Sequence, residues 1–302
     1  MIGDLFKLNG LYGLGAGVFI EVMPFVYAVH IEHNRYTLNI NEAKHMGSIK
    51  KVGITGANGT VGRVLMQGLA DDYELTAFTR RAVEFPSTIV NFDKPDEVAG
   101  AFTGLDAVIH LAADPSPMAN WQAVREHNLE GMYQVMEECR RAEVKRMVFA
   151  STNHTQHGNS ILTTPETLDR KKELRMKLGD QPNPDSLYAV SKLFGENIGK
   201  LYSERFGIEF VGLRIGWIVP EDTPLVMRGT PAEDYLRAMF LSHRDCIAAH
   251  KRALEVGTVY MLAYVVSANG RRVFDLEETR SGLGYEPQDD AEAYFAESGG
   301  RA

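Results

Sequence analysis

Short apolar runs and stretches of helical period alternate from residue 50 onward. Runs at 52–55, 74–78, 88–91, 107–111, 147–150 and 208–213 predict strands, and helix-period patterns lie between them over 60–70, 94–102, 117–141 and 186–206. Strands that alternate with helices in this way pair in parallel through crossover helices. The pattern therefore predicts an α/β chain: a doubly wound parallel sheet with helices on both faces. The alternation weakens after Pro220. Residues 220–257 read as loop plus helix, 258–265 as a strand and 290–296 as a short terminal helix. A polar insert at 155–187 carries Pro165, Pro182 and Pro184, and a loop that long in a compact domain usually serves function. This insert and 220–257 are expected to form most of a small C-terminal substrate-binding lobe over the strand ends.

Residues 1–49 stand outside the pattern and are expected to be a poorly ordered N-terminal extension. The run 11–29 is apolar but contains Glu21, Pro24 and several glycines. Only Lys7 precedes it and no small-residue cleavage site follows, which argues against a secretory signal. A membrane helix needs about twenty apolar residues without a charge, and this run does not supply them. Met46, just before the first strand, would serve as an alternative start. Residues 50–302 are expected to hold the nucleotide-binding domain and its lobe.

The first strand runs into Thr55-Gly-Ala-Asn-Gly-Thr-Val-Gly62. A strand, a glycine turn and a helix start are what a dinucleotide phosphate site requires. The first glycine allows the tight turn, the second lets the backbone approach the pyrophosphate, and the third lets helix and strand pack closely. The helix N-terminus then offers free N–H groups. Gly56, Asn58, Gly59, Thr60, Val61 and Gly62 are the candidate phosphate-binding residues, and the doubly wound sheet becomes a Rossmann fold. A glycine triplet alone is weak, because an ordinary glycine-rich turn has the same letters.

Coenzyme choice turns on the end of the second strand. An acid there binds the ribose 2′-OH, whereas an arginine accommodates a 2′-phosphate. The chain reads Phe78-Thr-Arg-Arg81, with no carboxylate until Glu84. Arg80 therefore favours NADP over NAD, although two arginines at a loop start are often only solvated surface. Asp93 falls where an adenine contact is expected. Leu111, Ala112 and Ala113 end the fourth strand beside the cofactor, and Asn128 in the next helix could hold backbone or ribose.

Tyr188-Ala-Val-Ser-Lys192 opens a helix pattern, so Tyr188 and Lys192 share one face at i, i+4. A nearby ammonium favours phenolate and makes Tyr188 a candidate acid/base, with Lys192 also able to hold nicotinamide-ribose hydroxyls. Thr152, just past the fifth strand, can donate to the same substrate oxygen. A Tyr-x-x-x-Lys spacing is common by chance. Combined with the glycine turn upstream and Thr152 between, it points to a catalytic constellation.

At these residues the chain resembles the extended short-chain dehydrogenase/reductase superfamily, the NAD-dependent epimerases and dehydratases, over about residues 50–290. Thr55–Gly62, Thr152, Asn128 and the Tyr188/Lys192 pair match that pattern. Phe149-Ala-Ser-Thr-Asn-His154, Leu213-Arg-Ile-Gly216, Leu241-Ser-His-Arg-Asp-Cys246 and Gly284-Tyr-Glu-Pro-Gln-Asp-Asp290 are similar to uronate dehydrogenases and archaeal NAD-dependent glucose-6-phosphate dehydrogenases. The resemblance implies oxidation of a sugar or sugar acid, a hexuronate or hexose phosphate, at C1 to a lactone. It implies that Thr152, Asn153 and His154 contact the sugar, and that a downstream arginine binds the substrate anion. Arg237 is preferred over Arg228 for that role, and Arg214 is read as a structural partner. Arg80 departs from the acidic habit of these relatives. Thr155-Gln-His-Gly-Asn-Ser replaces their Gly-aromatic segment. A basic run, Arg170 to Lys177, reads either as a solvated helix face or as an anion-binding lid.

Composition narrows the partners. The net charge is −8, which argues against nucleic acid. Cys139 and Cys246 lie in unrelated segments, which suits a reducing cytoplasm. No spacing suggests a metal. The expected partner is a small sugar, with a homo-oligomer left open. Two other readings remain: a nucleotide-sugar epimerase of the same superfamily, disfavoured by the short C-terminal lobe, and a non-catalytic NAD(P)-binding sensor, disfavoured by the Tyr/Lys pair. A dehydratase would carry Asp-Glu after Thr152, where Asn153-His154 stands.

Overall fold

The computed structural model describes residues 11–13, 17–22, 25–32, 35–38, 49–157 and 175–299. It divides into two units, 1–48 and 49–302. In the first, four strands form an antiparallel sheet in sequential order: β1 (Leu11–Gly13), β2 (Gly17–Val22), β3 (Phe25–Glu32) and β4 (Arg35–Leu38). The sequence reading drew no element there.

The second unit is built on a seven-stranded parallel sheet of β5 (Lys51–Thr55), β6 (Glu74–Thr79), β7 (Thr88–Ile89), β8 (Ala107–His110), β9 (Arg146–Thr152), β10 (Glu209–Ile215) and β11 (Tyr260–Val265). The order is β11-β10-β9-β8-β5-β6-β7, so the chain reverses direction across the sheet between β5 and β8. Ligands in open α/β sheets bind outside the strand C-termini at such a reversal.

Side chains alternate across each strand and so feed two cores. Ile54, Ile109, Val148 and Leu213 face one way, against the helices Thr60–Gly68 and His243–Glu255. Phe78, Val108, Phe149 and Phe210 face the other way, against Gly131–Arg141 and Leu187–Phe206. The doubly wound architecture read from the pattern is therefore present. The helix Leu187–Phe206 starts where Ser186 Oγ accepts a hydrogen bond from Ala189 N–H and stops at Gly207, whose φ of 69° leaves the helical region. It packs tightly on β9 because Gly195 has no side chain: a Cβ there would stand 2.3 Å from the Phe149 ring.

Several boundaries moved. The helix expected over 94–102 is one turn, Pro95–Val98, because Gly100 at φ 81° and Gly104 at φ 79° turn the chain out. The helix expected over 117–141 begins at Trp121 and contains a π-helical stretch, Val124–Glu130. Helical period carries no mark of that wider turn, which often accompanies a functional site. Residues 220–257 hold two helices, Glu233–Met239 and His243–Glu255, and a further helix, Glu277–Leu283, was not expected. Much of the polar insert, and with it Arg170, Lys171 and Lys172 of the basic run, lies outside the described residues. Among the described residues no helix is long and apolar enough to cross a membrane.

Candidate active site

Thr55 ties the two strands at the reversal point. Its Oγ1 accepts hydrogen bonds from Leu111 N–H and Ala112 N–H, each at 3.1 Å. The hydroxyl proton is left for His110 Nδ1 at 2.8 Å. A hydroxyl has one proton to give, so His110 carries its own on Nε2. Burial, and secondarily the Lys192 charge, push this imidazole down to about 3, so it stays neutral.

The glycine turn follows. Gly56 has φ 68°, and a Cβ on it would stand 2.9 Å from the Ala112 nitrogen. A Cβ on Gly62 would stand 2.5 Å from the Gly56 carbonyl oxygen. Both positions exclude any side chain, and the helix Thr60–Gly68 begins directly against the turn with Gly59 as its N-cap. That open backbone and the helix N-terminus fit a dinucleotide pyrophosphate.

On one side of the turn is a cavity of about 130 Å³, lined by Asn58, Arg80, Asp93, Ala113 and His127 among others. Arg80 Nη1 donates to His127 Nε2 at 2.9 Å, and His127 Nδ1 lies 3.9 Å from Asp93. His127 comes from the π-helical stretch and was missed in the sequence reading. Glu84, the first acid after β6, is taken by Arg63 at 2.6 Å.

On the other side a cleft of about 690 Å³ runs from Thr60, Val61 and Leu111 to Thr152, Asn153, His154, Tyr188, Lys192 and Tyr235. Tyr188 and Lys192 are buried. Burial is the main influence on the Tyr188 phenol; a hydrogen bond with Thr152 lowers it and Asp185 raises it, leaving it at about 12. Burial likewise brings the Lys192 ammonium down to about 7. Lys192 Nζ sits 4.9 Å from the Phe149 ring centroid and 5.7 Å from that of Tyr188. Burial thus dominates the Tyr188 phenol, and Lys192 is not among the groups that shift it. Asn153 Nδ2 donates to the Tyr235 hydroxyl at 2.9 Å. His154 Nδ1 is 2.5 Å from Asp185 Oδ2.

Residues 52–224 match the NAD dependent epimerase/dehydratase family. The chain belongs to that family. Within it, this epimerase/dehydratase-family protein is 40% identical over 250 residues to L-arabinose 1-dehydrogenase (NAD(P)(+)) of Haloferax volcanii, covering 80% of this chain and 97% of that relative. It is 32% identical over 257 residues to the NAD-dependent glucose-6-phosphate dehydrogenase of the same organism, covering 81% and 95%. A crystal structure of a uronate dehydrogenase variant from Agrobacterium tumefaciens complexed with NAD superposes with a TM-score of 0.70 at 25% identity, covering 84% of this chain and 91% of that one.

Most of the residues singled out from the sequence of this family member meet at the turn and its two cavities, but two stand elsewhere. Arg237 is not among the residues lining the cleft. Its guanidinium donates to Glu233 and Glu292 and stacks 4.2 Å from the Phe295 ring centroid, tying the helix Glu233–Met239 to the terminal helix. Arginine in a helix-period pattern does not reveal which acids it will meet. Asn128 is a brace. Its Oδ1 accepts from Asp114 N–H, and its Nδ2 donates to Asp114 O and to Ser191 Oγ at 2.9 Å, joining the loop after β8 to the helix that bears Tyr188. Arg214 is the structural partner it was read to be, paired with Glu196. Of the expected lobe, Tyr235 of 220–257 lines the cleft, and Asp185 of 155–187 reaches it through His154. No group of three or more metal-ligating side chains occurs among the described residues.

Proposed function

We propose that this protein is an NAD(P)-dependent dehydrogenase that oxidises the C1 hydroxyl of a sugar or sugar acid to a lactone, with NADP favoured over NAD. The observation that carries this reading is the convergence of Thr152, Tyr188 and Lys192 in one cleft that opens on the glycine turn. The names of the relatives, sugar dehydrogenases that use NAD or NAD(P), support the substrate class.

Each residue has a role that its setting suits. The coenzyme, when bound, accepts the hydride from C1. Tyr188 takes the proton of the C1 hydroxyl, and Thr152 donates a hydrogen bond to the same oxygen. Because burial holds the free phenol protonated, sugar oxidation gains as pH rises, while the reverse reduction uses Tyr188 as an acid. Lys192 holds ribose hydroxyls. Asn153 and His154 meet the sugar hydroxyls. Gly56, Asn58, Gly59, Thr60, Val61 and Gly62 cradle the phosphates, and Leu111, Ala112 and Ala113 line the path between the two cavities. Arg80 carries the coenzyme preference, with Asp93 on the adenosine side. Arg237 is engaged by two acids, and among the described residues that line the cleft, Lys192 and His154 are placed to meet an anion on the sugar.

The test is a screen of L-arabinose, hexuronates and glucose 6-phosphate with both coenzymes, read at the reduced-nicotinamide band. Turnover that yields the lactone or the sugar acid formed from it supports the reading. Coenzyme binding without turnover on every sugar contradicts it and favours a sensor.

A further inference from the structure

His154 and Asp185 form a dyad on the wall of the cleft. The Asp185 side chain is 6% exposed and that of His154 20%. Burial alone would raise the Asp185 carboxyl, but the hydrogen bond and charge of His154, with a further bond from Ser186 Oγ at 2.8 Å, hold it low. An ionised Asp185 accepts the Nδ1–H of His154 and so leaves Nε2 as the basic nitrogen. The His154 ring centroid is 6.2 Å from that of Tyr188, and both residues line the same cleft as Thr152. Sugar oxidation needs Tyr188 as its base, and His154 is a second base beside it.

We propose that the same cleft hydrolyses the lactone it forms, with the His154–Asp185 dyad as general base. The inference rests on the reading of the protein as a C1 dehydrogenase, which places the new carbonyl oxygen against the Tyr188 and Thr152 hydroxyls. Those two donors then face the oxygen on which negative charge develops when a nucleophile adds to C1, the arrangement that stabilises an oxyanion. His154 Nε2 removes a proton from a water held between it and C1 as that water's oxygen bonds to C1. Asp185 stabilises the resulting imidazolium. The tetrahedral species collapses, the bond from C1 to the ring oxygen breaks, and His154 returns the proton to the leaving oxygen. One lactone and one water give one sugar acid, with no oxidant or reductant consumed.

The experiment adds chemically prepared arabinono-, glucono- and glucurono-type lactones to the enzyme without coenzyme and follows acid release against a buffer blank. The same preparation is assayed for sugar oxidation. The expected result is lactone opening accelerated at least about a hundredfold over the blank, in the range typical of a positioned general base. His154→Asn and Asp185→Asn should lose most of this acceleration while circular dichroism and coenzyme affinity stay near wild type. Tyr188→Phe should reduce it through loss of the oxyanion donor. Lactone opening at the blank rate by an enzyme that oxidises sugar overturns the hydrolytic step and leaves the dehydrogenase reading intact. Lactone opening without any sugar oxidation supports the hydrolytic step and sinks the dehydrogenase reading. Failure of both overturns both.

Discussion

Arg214 and Glu196 meet as a two-pronged ion pair behind the catalytic wall of the cleft. Arg214 Nε donates to Glu196 Oε1 at 2.9 Å and Nη2 donates to Oε2 at 2.8 Å, with both residues buried. Glu196 Oε1 also accepts the Ser151 hydroxyl at 2.6 Å. Glu196 stands one turn after Lys192, and Ser151 precedes Thr152. The pair therefore registers the helix of Tyr188 against β9 and β10. Removing one partner strands a buried charge and should cost about 3–5 kcal/mol, whereas replacing both with apolar groups should cost less than the sum. Denaturant unfolding of Arg214→Leu, Glu196→Leu and the double variant measures this. Additive losses would show that the two residues act independently.

Lys192 makes stability depend on pH. Its folded value of about 7 lies below the unfolded 10.5, because burial penalises the ammonium. Between those values the unfolded chain binds the extra proton, so this residue's penalty is full below pH 7 and fades as pH rises toward 10.5. Lys192→Met should therefore raise Tm most at pH 6, by a few degrees, and the gap should narrow at pH 9. Comparing the two proteins at each pH cancels the other titrating groups. A gap that stays constant or widens with pH would mean that the buried ammonium carries no such penalty.

Arg80 is expected to set coenzyme choice. A charge-assisted bond to a 2′-phosphate is worth ~1.5–3 kcal/mol, and about 1.4 kcal/mol is tenfold in affinity. In the structure Arg80 donates to His127, so it must exchange that partner for the phosphate. Titration of both coenzymes at fixed salt should give tenfold or greater preference for NADP, and Arg80→Asp should reverse it. A wild type that prefers NAD would show that Arg80 stays with His127.

Arg237→Ala should act on stability and leave the Michaelis constant nearly unchanged. Its partners are Glu233, Glu292 and Phe295, so the loss falls on the packing of the terminal helix. A small drop in Tm with unaltered sugar kinetics is the expected pair of results. A large rise in the Michaelis constant for an acidic sugar alone would return Arg237 to the substrate site.

Much of this arrangement was legible because its signals are local. A glycine that must hold φ 68° against Ala112, as Gly56 does, can hardly be anything else. Tyr188 and Lys192 share a helix face by spacing alone. The short run 107–111 read as a buried strand, and the strand Ala107–His110 stands there. What was hidden depends on long-range pairing. The place of Arg237 is decided by Glu292, 55 residues away, and the reach of His127 by a π-helical stretch that leaves no trace in the helical period. The bond of Asp185 to His154 crosses 31 residues that no pattern connects. The burial that pushes the Tyr188 phenol up was likewise invisible in the sequence.

The most direct measurement is the turnover of Tyr188→Phe on the best sugar from the screen, beside its affinity for the coenzyme. The ring is kept and only the proton-transfer group is lost. The expected result is a fall in kcat of about a hundred- to ten-thousandfold with coenzyme affinity little changed. Near-normal turnover would contradict a mechanism in which Tyr188 takes the proton of the sugar hydroxyl.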